Sequence, residues 1–282
     1  MAPHPGAKPN PADIDRVLSE DVGSGDLTAA TLPDQLEAQA IVVTREPMVL
    51  CGTNWFDAVF DRLDPDTRIK WHFRDGEPVE ADRILCHLEG RARTLMTGER
   101  AALNLLQTLS GTATLAKRYA DAVQGSSLRI LDTRKTIPGL RDAQKYAVTI
   151  GGCHNHRIGL YDGILIKENH IRALGSISKA VEAARGLGKP VMIEVEVETL
   201  EELDEALAVG VTRILIDEFT PEMRKEAVAR TRGRAELEVS GSVALDDLAE
   251  IAKSGVDFVS IGSLTKHVRA IDLSMQVVIG AA

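Results

Sequence analysis

After about residue 110 this chain of 282 residues adopts a repeating grammar in which short apolar runs alternate with amphipathic segments about ten residues long. The runs are residues 129–132, 163–167, 191–197, 213–217, 236–240 and 258–262, and helical spacing fills 177–185, 200–208, 221–230 and 245–253. A strand that returns to a parallel neighbour needs a crossover of this length, so the repeat calls for a parallel sheet, either doubly wound or closed toward a barrel. Each run ends in polar or charged residues, which a barrel would gather on one face, and the runs fall short of eight. The expectation is an α/β fold with an incomplete, open parallel barrel.

Upstream the pattern differs. Period-two runs at 40–44, 48–50, 68–73 and 83–90 read as strands with one buried face, and a helix over 55–63 should cover them. Leu103, Leu106, Leu109 and Ala113 give an apolar stripe within 98–123, with Thr97 as a candidate cap and Ser110-Gly111 as a candidate bend. Residues 1–11 hold four prolines and little to bury, which predicts a mobile arm before helix begins near Ala12. The glycine turn at 20–28 carries three acids without the ligand spacing of a calcium loop and reads as a structural turn. His72 and His87 lie in strand-like runs with no ligand pattern beside them. The linear division is thus an arm (1–11), an N-terminal domain (12–110) and a barrel domain (111–267).

The chain carries a net charge of −9, yet residues 129–170 hold seven Lys/Arg against four Asp/Glu, a local excess of +3. An acidic protein argues against a nucleic-acid or anionic-membrane partner, whereas a confined basic region suits a small polyanion. Three cysteines without a CxxC pair suggest neither a disulfide framework nor a structural zinc site. No stretch has a signal pattern or the roughly 20 apolar residues of a membrane span. A cytoplasmic location is the expectation.

The charged residues fall where barrels do chemistry. Arg134 and Lys135 follow one apolar run and Lys167 another, so strands would hold the cations rigid while keeping them out of the core. Alternation in Val191-Met192-Ile193-Glu194-Val195-Glu196-Val197 puts Glu194 and Glu196 on one face, where burial demands a cation or hydroxyl. Asp217 closes a third run, either as a helix cap or, with Glu196, as a ligand for ribose hydroxyls or hydrated Mg²⁺. Ser240-Gly241-Ser242 and Gly262-Ser263 end the last two runs, where glycine lets the backbone approach a phosphate. Other chemistries use the same letters. Lys167 could form a Schiff base in a class I aldolase, and His154 and His156 could share zinc with His170 and Asp217 in a barrel hydrolase. A non-catalytic anion sensor is the third reading, and Glu99-Arg100 on its own reads as a solvated first helical turn.

The block Thr133-Arg134-Lys135-Thr136-Ile137-Pro138-Gly139-Leu140-Arg141, the run Asn155-His156-Arg157-Ile158-Gly159-Leu160 and the run Leu165-Ile166-Lys167-Glu168-Asn169-His170 closely resemble the quinolinate phosphoribosyltransferase family. The resemblance implies an N-terminal α/β sandwich, completed by 268–282, followed by an incomplete barrel of the phosphoribosyltransferase type. It also implies that quinolinate and phosphoribosyl diphosphate give nicotinate mononucleotide, diphosphate and CO₂ in de novo NAD biosynthesis, with Mg²⁺. In that reading Arg134, His156, Arg157 and Lys167 engage the quinolinate carboxylates, Thr133 is a further substrate-binding residue, and Lys135 lies on the diphosphate path. Glu196 and Asp217 hold the ribose diol and Mg²⁺, while Ser240, Gly241, Ser242, Ile261, Gly262 and Ser263 hold the phosphate. Gly98-Glu99-Arg100-Ala101-Ala102-Leu103-Asn104 resembles a helix start whose arginine reaches a partner's site, implying a homodimer with shared sites or a hexamer. This chain departs from the family at Cys153 (glycine expected), at Glu218 (asparagine usual) and at Ser242 (asparagine or glycine common).

Overall fold

The computed structural model describes residues 8–279. In chain order its helices and strands are α1 (Pro11–Val22), β1 (Glu37–Thr44), β2 (Met48–Val49), α2 (Thr53–Leu63), β3 (Arg68–Trp71), β4 (Pro78–Val79), β5 (Ile84–Arg91) and α3 (Ala92–Ala122). There follow β6 (Arg129–Leu131), α4 (Arg141–Ile150), β7 (Gly163–Ile166), α5 (Glu168–Leu174), α6 (Ile177–Gly186), β8 (Met192–Val197), α7 (Leu200–Ala208) and β9 (Arg213–Asp217). The last elements are α8 (Pro221–Thr231), β10 (Glu236–Ser240), α9 (Leu248–Ser254), β11 (Phe258–Ser260), α10 (Ser263–Lys266) and β12 (Leu273–Ile279).

The chain forms two compact units. The first comprises residues 1–117, 136–152 and 264–282, and the second 118–135 and 153–263. The linear division therefore differs from the folded one at three places, because residues 111–117, 136–152 and 264–267 belong to the first unit, which the tail from 268 joins as the resemblance implies. Residues 1–7 of the expected mobile arm, and 280–282 of the tail, lie outside the described residues.

In the first unit β12, β1, β5 and β3 form an antiparallel sheet in that order. Helix α1 starts at Pro11, with the Asn10 side chain accepting a hydrogen bond from the Ala12 amide at 3.1 Å. The core includes Phe56 and Phe60 of α2 and Leu103, Leu106 and Leu109 of α3, all fully buried. Two expectations for α3 are corrected. The helix begins at Ala92, so Thr97 is not its cap but donates to Asp26 Oδ2 at 2.9 Å. It also runs through Ser110-Gly111 without a break, since the Ser110 hydroxyl bonds the Cys51 backbone and a Cβ at Gly111 would lie 2.1 Å from the Arg269 carbonyl oxygen. Helix α4 packs here through Tyr146, whose ring centroid is 5.2 Å from that of Trp55 and whose hydroxyl donates to Asp75 at 2.9 Å.

The second unit is a six-stranded parallel sheet in the order β6-β11-β10-β9-β8-β7, with β6 and β7 at its two edges. Among the described residues no strand pairing joins these edges, and the barrel stays open. The intervening helices start where the letters say they should. Ser176, Thr199 and Thr220 each accept a bond from the amide three residues on, and Pro221 follows the last of them. Thr220, not Asp217, caps α8. Valines 195 and 197 of β8 are fully buried on one face and Glu194 and Glu196 on the other, so both faces of the strand are covered, as a barrel requires.

Candidate active site

A cavity of about 360 Å³ opens at the carboxyl ends of the strands of the second unit. Thr133, Arg134 and Lys135 reach it from beyond β6, Lys167 from β7, Glu196 from β8 and Ser240 from β10. His156 and Arg157 enter from the loop before β7, and Leu165 and Leu215 supply an apolar wall for a flat ring. Eight of the residues singled out in the sequence thus share one hollow. The leucines, Glu238 and Ser260 were not foreseen there.

The loop that presents His156 is clamped from β6. Buried Asp132 accepts the His156 amide at 2.9 Å on one oxygen and the Asn155 side chain at 2.7 Å on the other. Burial, and then the nearby charge of Arg134, push the Arg157 guanidinium below its usual value. Cations held together against their own repulsion are what a site for a multiply charged anion requires. Lys167 Nζ pairs closely with Glu196 Oε2, a contact that occupies the amine and favours anion binding over a Schiff base. Burial, together with the Asp217 and Glu168 charges, raises the Glu196 carboxyl above its ordinary value despite Lys167. Glu196 and Asp217 stand on neighbouring strands, Asp217 outside the cavity lining, and the Asp217 charge that raises Glu196 is one a divalent cation between the two carboxyl groups would offset, so their oxygens suit Mg²⁺.

A second charged layer begins at Glu238 of the cavity lining. Arg213, two residues before Leu215 on β9, is buried, and its guanidinium bonds Glu194 at 3.3 Å, Glu238 at 2.7 Å and Glu236 at 3.2 Å. Its carbon sits 3.4 Å from the centroid of Phe258, a cation–π contact from β11. His156 Nε2 stands 2.9 Å from Glu194 and 3.6 Å from Glu238. His156, Glu194 and Glu238 are near enough to hold an ion, but Arg213 already lies against both carboxylates. His154, His170 and Asp217 do not join that group, so the zinc set read from the sequence does not assemble.

The remaining candidates lie outside the cavity lining. Gly262 is packed against Lys135, and a Cβ there would be 3.0 Å from Lys135 Cδ, so the glycine turn and the lysine stem share one surface. Ile261 is buried with its amide bonded to Leu131, and Ser263 Oγ meets the Tyr119 hydroxyl at 3.3 Å. Gly241 takes φ +127°, and the Glu218 carboxylate accepts the Ser242 amide at 3.3 Å. Arg100 lies on α3 in the first unit, half exposed beside Glu99 at 3.5 Å. Cys153 is buried with Asp132 nearby, which pushes its thiol up to about 12 and leaves it inert.

Comparison with known proteins bears on both units. The family model of the quinolinate phosphoribosyl transferase N-terminal domain matches residues 26–110, and that of its C-terminal domain matches 112–276. A probable nicotinate-nucleotide pyrophosphorylase (carboxylating) of Bacillus subtilis is 40% identical over 265 residues, covering 94% of this chain and 92% of that protein. A chloroplastic nicotinate-nucleotide pyrophosphorylase (carboxylating) of Arabidopsis thaliana is 39% identical, covering 94% and 82%. The solved nicotinate-nucleotide pyrophosphorylase of Francisella tularensis superposes with a TM-score of 0.92 at 44% identity, covering 96% and 98% of the two chains.

Proposed function

The chain belongs to the quinolinate phosphoribosyltransferase family, and from that premise we propose how its own residues divide the work. The reaction transfers phosphoribosyl from phosphoribosyl diphosphate to quinolinate with decarboxylation, giving nicotinate mononucleotide, diphosphate and CO₂ in de novo NAD biosynthesis. The observation that carries the assignment of roles is the convergence of Arg134, Lys135, Arg157 and Lys167 on one hollow with two leucines, Glu196 and Glu238.

Arg134, Arg157 and Lys167 hold the two quinolinate carboxylates, with the ring against Leu165 and Leu215. Lys135, lying over the Gly262 turn, meets the diphosphate, and Ser240 with the following glycine turn meets the 5′-phosphate. Glu196 and Asp217 take the ribose hydroxyls and, through water or substrate, Mg²⁺. When bound, the metal offsets charge on the diphosphate. The pyridine nitrogen donates its pair to ribose C1 as the C1–oxygen bond breaks and its pair leaves with the diphosphate. Positive charge at C1 is tolerated beside the two carboxylates. The quaternised nitrogen then accepts density at the adjacent ring carbon, so that carbon's carboxylate departs as CO₂ and a proton replaces it. The protein orients that carboxylate and need not form a covalent bond. We also place the protein in the cytoplasm, supported by three cysteines that are buried and not joined in disulfides.

Incubation with quinolinate, phosphoribosyl diphosphate and Mg²⁺, followed for CO₂ and nicotinate mononucleotide, tests the roles when repeated on Arg134→Ala, Arg157→Ala and Lys167→Ala. Each lost charge-assisted contact of about 1.5–3 kcal/mol should lower kcat/KM for quinolinate about ten- to 150-fold. Unchanged kcat/KM in all three would remove the cavity from the chemistry.

A further inference from the structure

Both ring nitrogens of His156 are engaged by the protein itself. Nδ1 accepts the Arg157 amide at 2.7 Å, and Nε2 stands 2.9 Å from the fully buried Glu194. An amide donating to Nδ1 needs a lone pair there, so the ring's proton sits on Nε2 and is given to Glu194. Burial works against a charged ring, but the bond to Glu194 and the charges of Glu238 and Glu194 outweigh it and raise His156 above its ordinary value, so what opposes a second proton is the Arg157 amide at Nδ1. A second proton could enter only at Nδ1, by expelling the Arg157 amide.

Glu194 is in turn fixed by Arg213. The guanidinium spans three strands, taking Glu194 on β8 and Glu236 and Glu238 on β10, with its flat face on Phe258 of β11. Such a fork has one geometry, which a lysine could not reproduce. Glu194 is fully buried, with one oxygen 2.9 Å from His156 Nε2 and the other accepting from Arg213 at 3.3 Å, so neither oxygen is left without a neighbour that orients it.

We propose that Glu194 and Arg213 are positioning residues for the pyridine-dicarboxylate end of the cavity. They fix His156 as an Nε2–H imidazole whose Nδ1 takes the Arg157 amide and so holds the backbone from which the Arg157 guanidinium, steadied by the Gly163 carbonyl at 3.1 Å, reaches the substrate. The inference rests on the reading that this cavity binds quinolinate. It makes His156 a support for Arg157 and a ring face toward the cavity, with no polar atom spent on a substrate carboxylate.

The test uses the full chain and two variants, Arg213→Lys, which keeps the charge but not the fork, and Glu194→Gln, which keeps the volume but cannot accept from both neighbours. Both should raise KM for quinolinate about tenfold, the scale of one charge-assisted contact, and leave KM for phosphoribosyl diphosphate unchanged. Glu236→Gln, altered at the exposed end of the fork, should leave both constants alone. Nitrogen-15 spectra of labelled histidine should show His156 protonated at Nε2 and bare at Nδ1, and should change in Arg213→Lys. A proton at Nδ1 in the wild type would overturn the proposal, as would a KM that rises equally for both substrates in step with a fall in Tm. Arg157→Ala separates the two levels. If it leaves KM for quinolinate unchanged, the reading of the cavity fails, and if it raises KM while Glu194→Gln and Arg213→Lys do not, only the relay fails.

Discussion

At the scale of single residues, what the letters revealed were charges standing at strand ends. Arg134, Lys135 and Lys167 were legible because an apolar run fixes where a following charge must emerge. Arg213 and Glu238 were not, although Glu236 and Glu238 show the same period-two spacing that singled out Glu194 and Glu196. Their partner lies on another strand, and nothing local announces it. Glu218 shows how a single departure acts. It takes φ +52°, and its carboxylate accepts the Ser242 amide across Gly241, where an added Cβ would come within 2.9 Å of it. A phosphate seeking that amide meets a carboxylate already there. Glu218→Asn removes the charge with a residue that tolerates the left-handed backbone, so KM for phosphoribosyl diphosphate should fall about two- to tenfold. A KM that rises would show that Glu218 assists the phosphate.

At the scale of elements, the strands and most helices of the second unit followed from periodicity because each sits in a short repeat with its own cap. Helix α3 was misread because Ser and Gly in mid-helix normally signal a break, whereas here they face Cys51 and the Arg269 carbonyl. Gly111→Ala should therefore destabilise by about 1–3 kcal/mol or more, although alanine is the better helix former, and a stability gain in urea unfolding would contradict the close approach. A second element-level case joins α2 to β3. Asp57 Oδ1 accepts Trp71 Nε1–H at 2.9 Å, and its pKa is raised to about 6 by burial and then by the Asp61 and Asp75 charges, with the Trp71 bond opposing. A carboxyl whose folded pKa is raised contributes stability below its ordinary value near 3.8, and that contribution is lost as pH climbs through about 6. Asp57→Asn, which keeps the acceptor, should raise Tm relative to wild type above pH 6, with the advantage shrinking toward pH 4. An advantage constant across that range would mean that Asp57 titrates normally.

At the scale of the whole molecule, a linear reading divides the chain near residue 110, but the folded units interleave. Residues 136–152 and 264–282 belong to the first unit, where Gln144 accepts the Ile137 amide at 2.8 Å and donates to the Thr265 carbonyl at 3.0 Å. Contacts of such sequence separation leave no period to read, and only the resemblance suggested that the tail returns. The same limit applies to assembly. Arg100 stands on the first unit, exposed, beside no acid but its own neighbour Glu99 in the described ion pairs, and it is not part of the cavity lining in the second unit. If it completes the carboxylate subsite of a partner subunit, Arg100→Ala and Lys167→Ala damage the same site from different chains. In a mixed dimer one site then carries both lesions and the other carries neither. Mixing the two inactive proteins at equal amounts should restore about a quarter of wild-type activity, because half the dimers are mixed and each has one intact site. Arg100→Ala mixed with Arg134→Ala should recover equally, whereas Lys167→Ala mixed with Arg134→Ala should not, since both of those lesions lie on the cavity's own chain. No recovery in the first two mixtures, with subunit exchange verified by mass spectrometry, would confine the site to a single chain and return Arg100 to the solvated helix face.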